Sequence, residues 1–130
     1  MGMDYRGTII GESLEDKSIF DKVKVIGTRV EKVTKRHKTQ WLRQWTIYTI
    51  EIPEARADAL AGVISRSIVR EHGHAWYVNF KNDRTHYIIF LEKVFKVDRI
   101  GVDGYQKVRE YGISLGIPEY QLDFSPEVEV

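Results

Sequence analysis

Residues 74–98, HAWYVNFKNDRTHYIIFLEKVFKVD, read as three strands joined by two tight reversals. Lys81-Asn82-Asp83-Arg84-Thr85-His86 is a polar segment between aromatic and β-branched runs. Asn and Asp accept left-handed backbone angles and bond their own backbone, so this segment predicts a hairpin turn. The charged pair Glu92-Lys93 predicts a second reversal. Side chains alternate across a strand. One face is therefore expected to carry Trp76, Val78, Phe80, Tyr87, Ile89 and Leu91, and the other Tyr77, Asn79, Ile88 and Phe90. A two-residue turn at Glu92-Lys93 would pair Phe90 with Phe95 and Ile88 with Val97, adding both to the second face. The middle strand, residues 86–91, is then apolar on both sides, whereas an antiparallel sheet commonly keeps one side polar and wet.

The flanking chain supplies further elements. Residues 5–10 predict a short strand. Residues 23–33, VKVIGTRVEKV, predict a long one with Gly27 as a candidate bulge. The basic loop TKRHKT follows, and residues 41–52, WLRQWTIYTIEI, return as the second half of a twisted hairpin. Pro53 ends that strand, and Ala57, Leu60, Ala61, Ile64 and Ile68 recur at helical spacing. A second helix is expected from Asp103 to about Leu115, stopped by Gly116 and Pro118. Tyr120, Leu122 and Phe124 alternate like a short last strand. The expected fold class is α+β: one antiparallel sheet of about five to six strands, a hairpin plus a three-stranded meander, with two helices mainly on one face. Residues 1–130 are expected to form a single domain.

Composition narrows the function classes. The 130 residues are 42% hydrophobic and 30% charged, with a formal net charge of +1, so no global field attracts nucleic acid or an anionic membrane. With no cysteine, disulfides, thiolate metal sites and a thiol nucleophile are excluded. No apolar run approaches the roughly 20 residues that span a bilayer, and MGMDYRGTII lacks the basic and apolar regions of a signal peptide. A cytoplasmic protein with no membrane association is the expectation.

Two segments, FKNDRTHYIIF (residues 80–90) and YGISLGIPEYQLDF (residues 111–124), resemble a family of small, uncharacterised prokaryotic α+β proteins. The resemblance covers most of the chain. It implies no activity, so no functional residue is carried over from it.

Candidate chemistry is sparse. His72 and His74 lie close together, but His74 and His86 fall toward opposite ends of the first hairpin and cannot share a metal ion. Asp83 with His86, or Glu71 with His72, could be drawn as acid–base dyads, yet catalysis also needs a pocket and shifted pKa values. No nucleophile elbow, phosphate loop or paired-carboxylate motif is present, and no cofactor or metal is expected. Residues 22–45 hold eight cations against Glu31 alone. Within the hairpin of residues 32–45, Lys35, Arg36, Lys38 and Arg43 with Trp41 and Trp45 combine phosphate-binding charge with stacking rings, as single-strand nucleic-acid binders do. The plainer account of the same residues, and the favoured one, is a solvated hairpin tip whose charges blunt an exposed edge, with the tryptophans packed inward. From Arg99 onward six acids oppose three cations.

The first expectation is a non-enzymatic binding module. If both helices cover one face, the other leaves Trp76, Phe80 and Tyr87, or Tyr77, Ile88, Phe90 and Phe95, open as an apolar patch. That patch would serve a homodimer or a small apolar or aromatic ligand. Single-stranded nucleic acid is the second expectation, and a small enzyme with an unrecognised site is the third.

Overall fold

A computed structural model describes residues 4–33, 42–69, 76–99, 103–117 and 122. Among these residues six strands form one antiparallel sheet: β1 (Tyr5–Ile10), β2 (Lys24–Lys32), β3 (Gln44–Ile52), β4 (Tyr77–Lys81), β5 (Thr85–Phe90) and β6 (Lys93–Asp98). Helix α1 (Ala57–Ser67) follows β3, and α2 (Asp103–Ser114) follows β6. The sheet order is β2-β3-β1-β4-β5-β6. This is the expected α+β class, with the hairpin and the meander both present.

The short first strand is the piece that joins them. β1 pairs with β3 from Tyr5↔Ile52 to Ile10↔Ile47 and with β4 from Arg6↔Lys81 to Thr8↔Asn79. Gly7 sits at this seam because a Cβ there would lie 2.0 Å from the Asn79 carbonyl oxygen and 2.5 Å from the Phe80 Cα. Only glycine lets these two backbones approach so closely.

In the meander, Asn82 closes the first turn: its side-chain oxygen accepts the Arg84 and Thr85 amides, each at 2.9 Å. The second turn is Leu91-Glu92, one residue earlier than the charged pair suggests, with Glu92 at φ 59°. The register therefore moves by two residues. Ile88 faces Phe95, His86 faces Val97, and Phe90 faces Lys93. A shift of two preserves which face each side chain occupies.

The two helices lie on opposite faces of the sheet, which corrects the expectation that both would cover one. Leu60, Ala61 and Ile64 of α1 share a core with Trp76, Val78, Phe80, Tyr87 and Ile89. Val108 of α2 shares a second core with Ile88, Phe90, Val97, Ile117 and Leu122. The reason is the one seen in β5: a strand apolar on both sides needs apolar cover on both. Helix α1 is also tied to the end of β5, since the Ser65 hydroxyl donates to the Phe90 carbonyl at 2.8 Å and the Glu92 amide to the Ser65 carbonyl at 3.0 Å. Helix α2 settles close to β6 through Gly104, where a Cβ would meet Val97 at 2.7 Å.

The α1 face continues as a core under β1 and β3. Tyr5, Ile9, Ile50 and Ile52 pack there with Leu14 and Ile19 from the short 3-10 segments after β1. That connection is stitched to the end of α1 by a Leu14↔Ile68 bridge and by Glu15 and Val69 amide bonds of 2.8 Å each.

Candidate binding surface

The seven aromatic and aliphatic residues expected to form an open patch are divided between two closed cores. Trp76, Phe80 and Tyr87 are buried beneath α1, with the Phe80 and Tyr87 rings stacked at 4.8 Å. Ile88 and Phe90 are buried beneath α2, and Tyr77 and Phe95 pack half-buried at the edge of that cluster. Neither set is the open face from which a dimer or ligand site was argued.

The nucleic-acid candidates are also dispersed. Arg43 is exposed. Trp45 is 8% exposed and packs against Trp76 with ring centroids 5.3 Å apart, so it offers no free face for a base. It turns inward where β3 outruns β1: the Glu12 carboxylate takes the Thr46 amide at 2.7 Å and its hydroxyl at 2.9 Å in place of a neighbouring strand. Lys35, Arg36, Lys38 and Trp41 lie outside the described residues, as do His72, His74 and the expected strand around Tyr120 and Phe124.

His86 is the buried polar centre of the molecule. Its Nε2 lies 2.9 Å from Asn79 Oδ1 and its Nδ1 3.0 Å from the Tyr105 hydroxyl on α2. With the carboxamide oxygen facing it, Nε2 carries the proton and Nδ1 accepts from the tyrosine. Arg99 in turn hydrogen-bonds the Tyr105 side chain, although burial dominates and raises that phenol's pKa. Burial pushes the His86 imidazole down to about 3, with Lys81 and Arg99 adding to the fall, so the ring is neutral at ordinary pH. Both ring nitrogens are engaged, and Asp83, its proposed partner, is exposed in the turn. The network joins α2 to the sheet and leaves no nitrogen for metal or proton transfer. Among the described residues, no three His, Asp or Glu side chains gather as a metal site.

A second polar pair holds α1. The Tyr87 hydroxyl donates to Asp58, which lowers the carboxyl's pKa, while burial first and the Asp58 contact second raise the phenol's. Lys96 approaches the same carboxylate at 3.5 Å.

His86 also marks a boundary on the α2 face. Reading across the sheet from the β2 edge, one row runs Lys24, Glu51, Arg6, Lys81, His86 and Val97. The row is charged over β2, β3, β1 and β4, with Arg6 and Glu51 paired at 3.4 Å, and apolar under α2.

Among the described residues the sheet has two outer strands, β6 and β2, of which β2 is the longer. Seven of its nine residues are exposed, and its outer side carries no paired strand among the described residues. Val30 is 59% exposed, with Val25 and Ile26 also open. The direction of its backbone groups follows from one bond: the Val33 amide donates to the Arg43 carbonyl at 3.0 Å, in register with the hairpin. Hydrogen-bonded pairs alternate along an antiparallel ladder. Glu31 and Arg29 therefore point their main-chain groups at β3, and Lys32, Val30 and Thr28 point theirs outward. The Thr46 amide, opposite Val30, agrees, because it turns away from β2 to reach Glu12. A register shift between Val25 and Gly27 bulges the strand at Ile26, next to the expected Gly27. Lys24, Arg29 and Lys32 are all exposed.

Comparison with protein-family models, curated proteins and solved structures gives no match for this chain. Among the described residues no helix is long and apolar enough to cross a membrane.

Proposed function

We propose that this protein is a non-catalytic interaction module that accepts an extended polypeptide segment along the outer edge of β2. The observation that carries the reading is the outward-facing backbone of Thr28, Val30 and Lys32 beside an exposed Val30 side chain. Strand addition uses main-chain hydrogen bonds for affinity and alternate side chains for selection. Lys24, Arg29 and Lys32 outnumber the one acid of β2, Glu31, which lies 3.7 Å from Arg29, and this excess of cations favours an acidic partner. Single-stranded nucleic acid is the weaker reading because Trp45, the described ring of the candidate stacking pair, is in the core.

The reading is tested with a random peptide library displayed against the full chain. The expected winners alternate β-branched and acidic residues, and they are lost with Val30→Pro, which removes an outward amide and no β3 partner. A library without enrichment, or winners that bind Val30→Pro equally well, would overturn it.

A further inference from the structure

The chain itself contains a segment of the selected kind. Residues 123–130 read DFSPEVEV, with acids Asp123, Glu127 and Glu129 and no cation. Glu127-Val128-Glu129-Val130 alternates acid with β-branched residue, so as a strand it has one anionic and one apolar side. The β2 edge offers Val30, Val25 and Ile26 among three cations, Lys24, Arg29 and Lys32, and one acid, Glu31. Resting on the strand-accepting reading above, we infer that the occupant of the β2 edge is residues 127–130 of a second copy of this chain, exchanged reciprocally in a two-fold dimer.

Reach sets the choice between the same copy and another. Leu122 is buried with Ile88 and Phe90 of β5. A strand added outside β2 would lie five strand spacings from β5 in the sheet order, about 24 Å at roughly 4.8 Å each. The five residues from Leu122 to Glu127 span at most about 18 Å fully extended, before any detour around the sheet. A strand of residues 127–130 along its own β2 is therefore out of reach, and a second copy supplies it instead. Two β2 edges paired antiparallel about Val30 would set Arg29 against Glu31, but would leave Lys32 opposite Thr28 and Lys24 without an acid from β2. Reciprocal exchange sets each basic edge against an acidic strand and closes the assembly.

The test uses the full chain in sedimentation and light scattering over a wide concentration range. A dimer that loosens as salt rises is expected. Val30→Pro, and separately Glu127→Lys with Glu129→Lys, should raise its dissociation constant by about tenfold or more, with circular dichroism reporting an intact fold. A chain carrying Lys24→Glu, Arg29→Glu and Lys32→Glu should be monomeric alone. Mixed with the Glu127→Lys, Glu129→Lys chain it should form a heterodimer, because both exchanged contacts regain opposite charges. Failure of that mixture to associate, or a wild-type chain that stays monomeric, would overturn the inference. If Val30→Pro breaks the dimer and the Glu127/Glu129 changes do not, the occupant assigned here is wrong while the strand-accepting edge stands. If only the acidic positions matter, the edge reading falls along with it. A monomer that instead binds a single-stranded oligonucleotide through the same lysines would transfer the surface to nucleic acid.

Discussion

β5 and β2 are strands of the same antiparallel sheet, and both carry β-branched residues, but their surroundings are opposite. Five of the six residues of β5 are buried, on both faces, while seven of the nine in β2 are exposed, on both faces. β5 lies between two strands and between two helices; among the described residues β2 ends the sheet. The difference teaches that neighbours, rather than strand propensity, set what a strand contributes. The inner one holds the fold together, and the outer one keeps its outward backbone groups and valines exposed.

The largest expected effect tests the inner strand. Ile88 and Ile89 point to opposite faces and are both fully buried, under α2 and α1 respectively. Truncation of either to Ala should cost roughly 2–5 kcal/mol in a denaturant melt, a large part of a total of about 5–15 kcal/mol. Because each face is covered from within the chain, the loss should be equal at low and high protein concentration. A loss at Ile88 that depends on concentration would restore the aromatic face as a subunit contact.

The next effect is pH dependence on the α2 side of β5. His86 falls from 6.5 in the unfolded chain to about 3 in the folded one. Its contribution is fully present above pH 6.5 and is lost as pH falls, because the unfolded chain then binds a proton that the folded one refuses. The slope is about 1.4 kcal/mol per pH unit, so about 2 kcal/mol should disappear between pH 6.5 and about pH 5. In that window His86→Gln should flatten the stability profile, whatever its baseline. Equal slopes in the two proteins would mean that the imidazole is not held neutral by burial.

How much of this contrast was legible in the sequence differs by element. The two-sided apolar character of residues 86–91 was plain, as were the hairpin, the meander and the glycine-marked irregularity in β2. The side of the sheet each helix takes was not, because an amphipathic stripe such as Leu60, Ala61 and Ile64 records that a face is buried but not against which side. The place of β1 was hidden for a similar reason: six residues, YRGTII, say strand but do not say centre. Gly7 was the available signal, a glycine inside a strand marking close backbone approach. Trp45 looked like a binding ring because its neighbours in sequence are basic. Its burial depends on Trp76 and on β3 outrunning β1, both set by contacts distant along the chain. The second turn slipped because charge marked Glu92-Lys93, whereas apolar Leu91 takes the first turn position and Glu92 the left-handed one.

The smallest expected effect comes from the outer strand, and it depends on reading two neighbouring residues in opposite ways. Glu31 and Val30 are adjacent in β2, and proline at either removes one amide. At Glu31 that amide points at Trp45 across the ladder, so Glu31→Pro should cost about 1–2 kcal/mol, for the lost ladder bond and the carbonyl it leaves unpaired. At Val30 the amide points outward, and edge strands tolerate proline where the amide faces solvent. Val30→Pro should therefore change stability by about 1 kcal/mol or less, mostly from drawing φ toward the proline value. The two positions are neighbours in one strand and differ most in backbone direction, beside the half-buried Glu31 side chain and its 3.7 Å contact with Arg29. A larger loss at Val30 than at Glu31 would mean that the outward set is misassigned by one residue, and strand addition would then have to run through Arg29 and Glu31 instead.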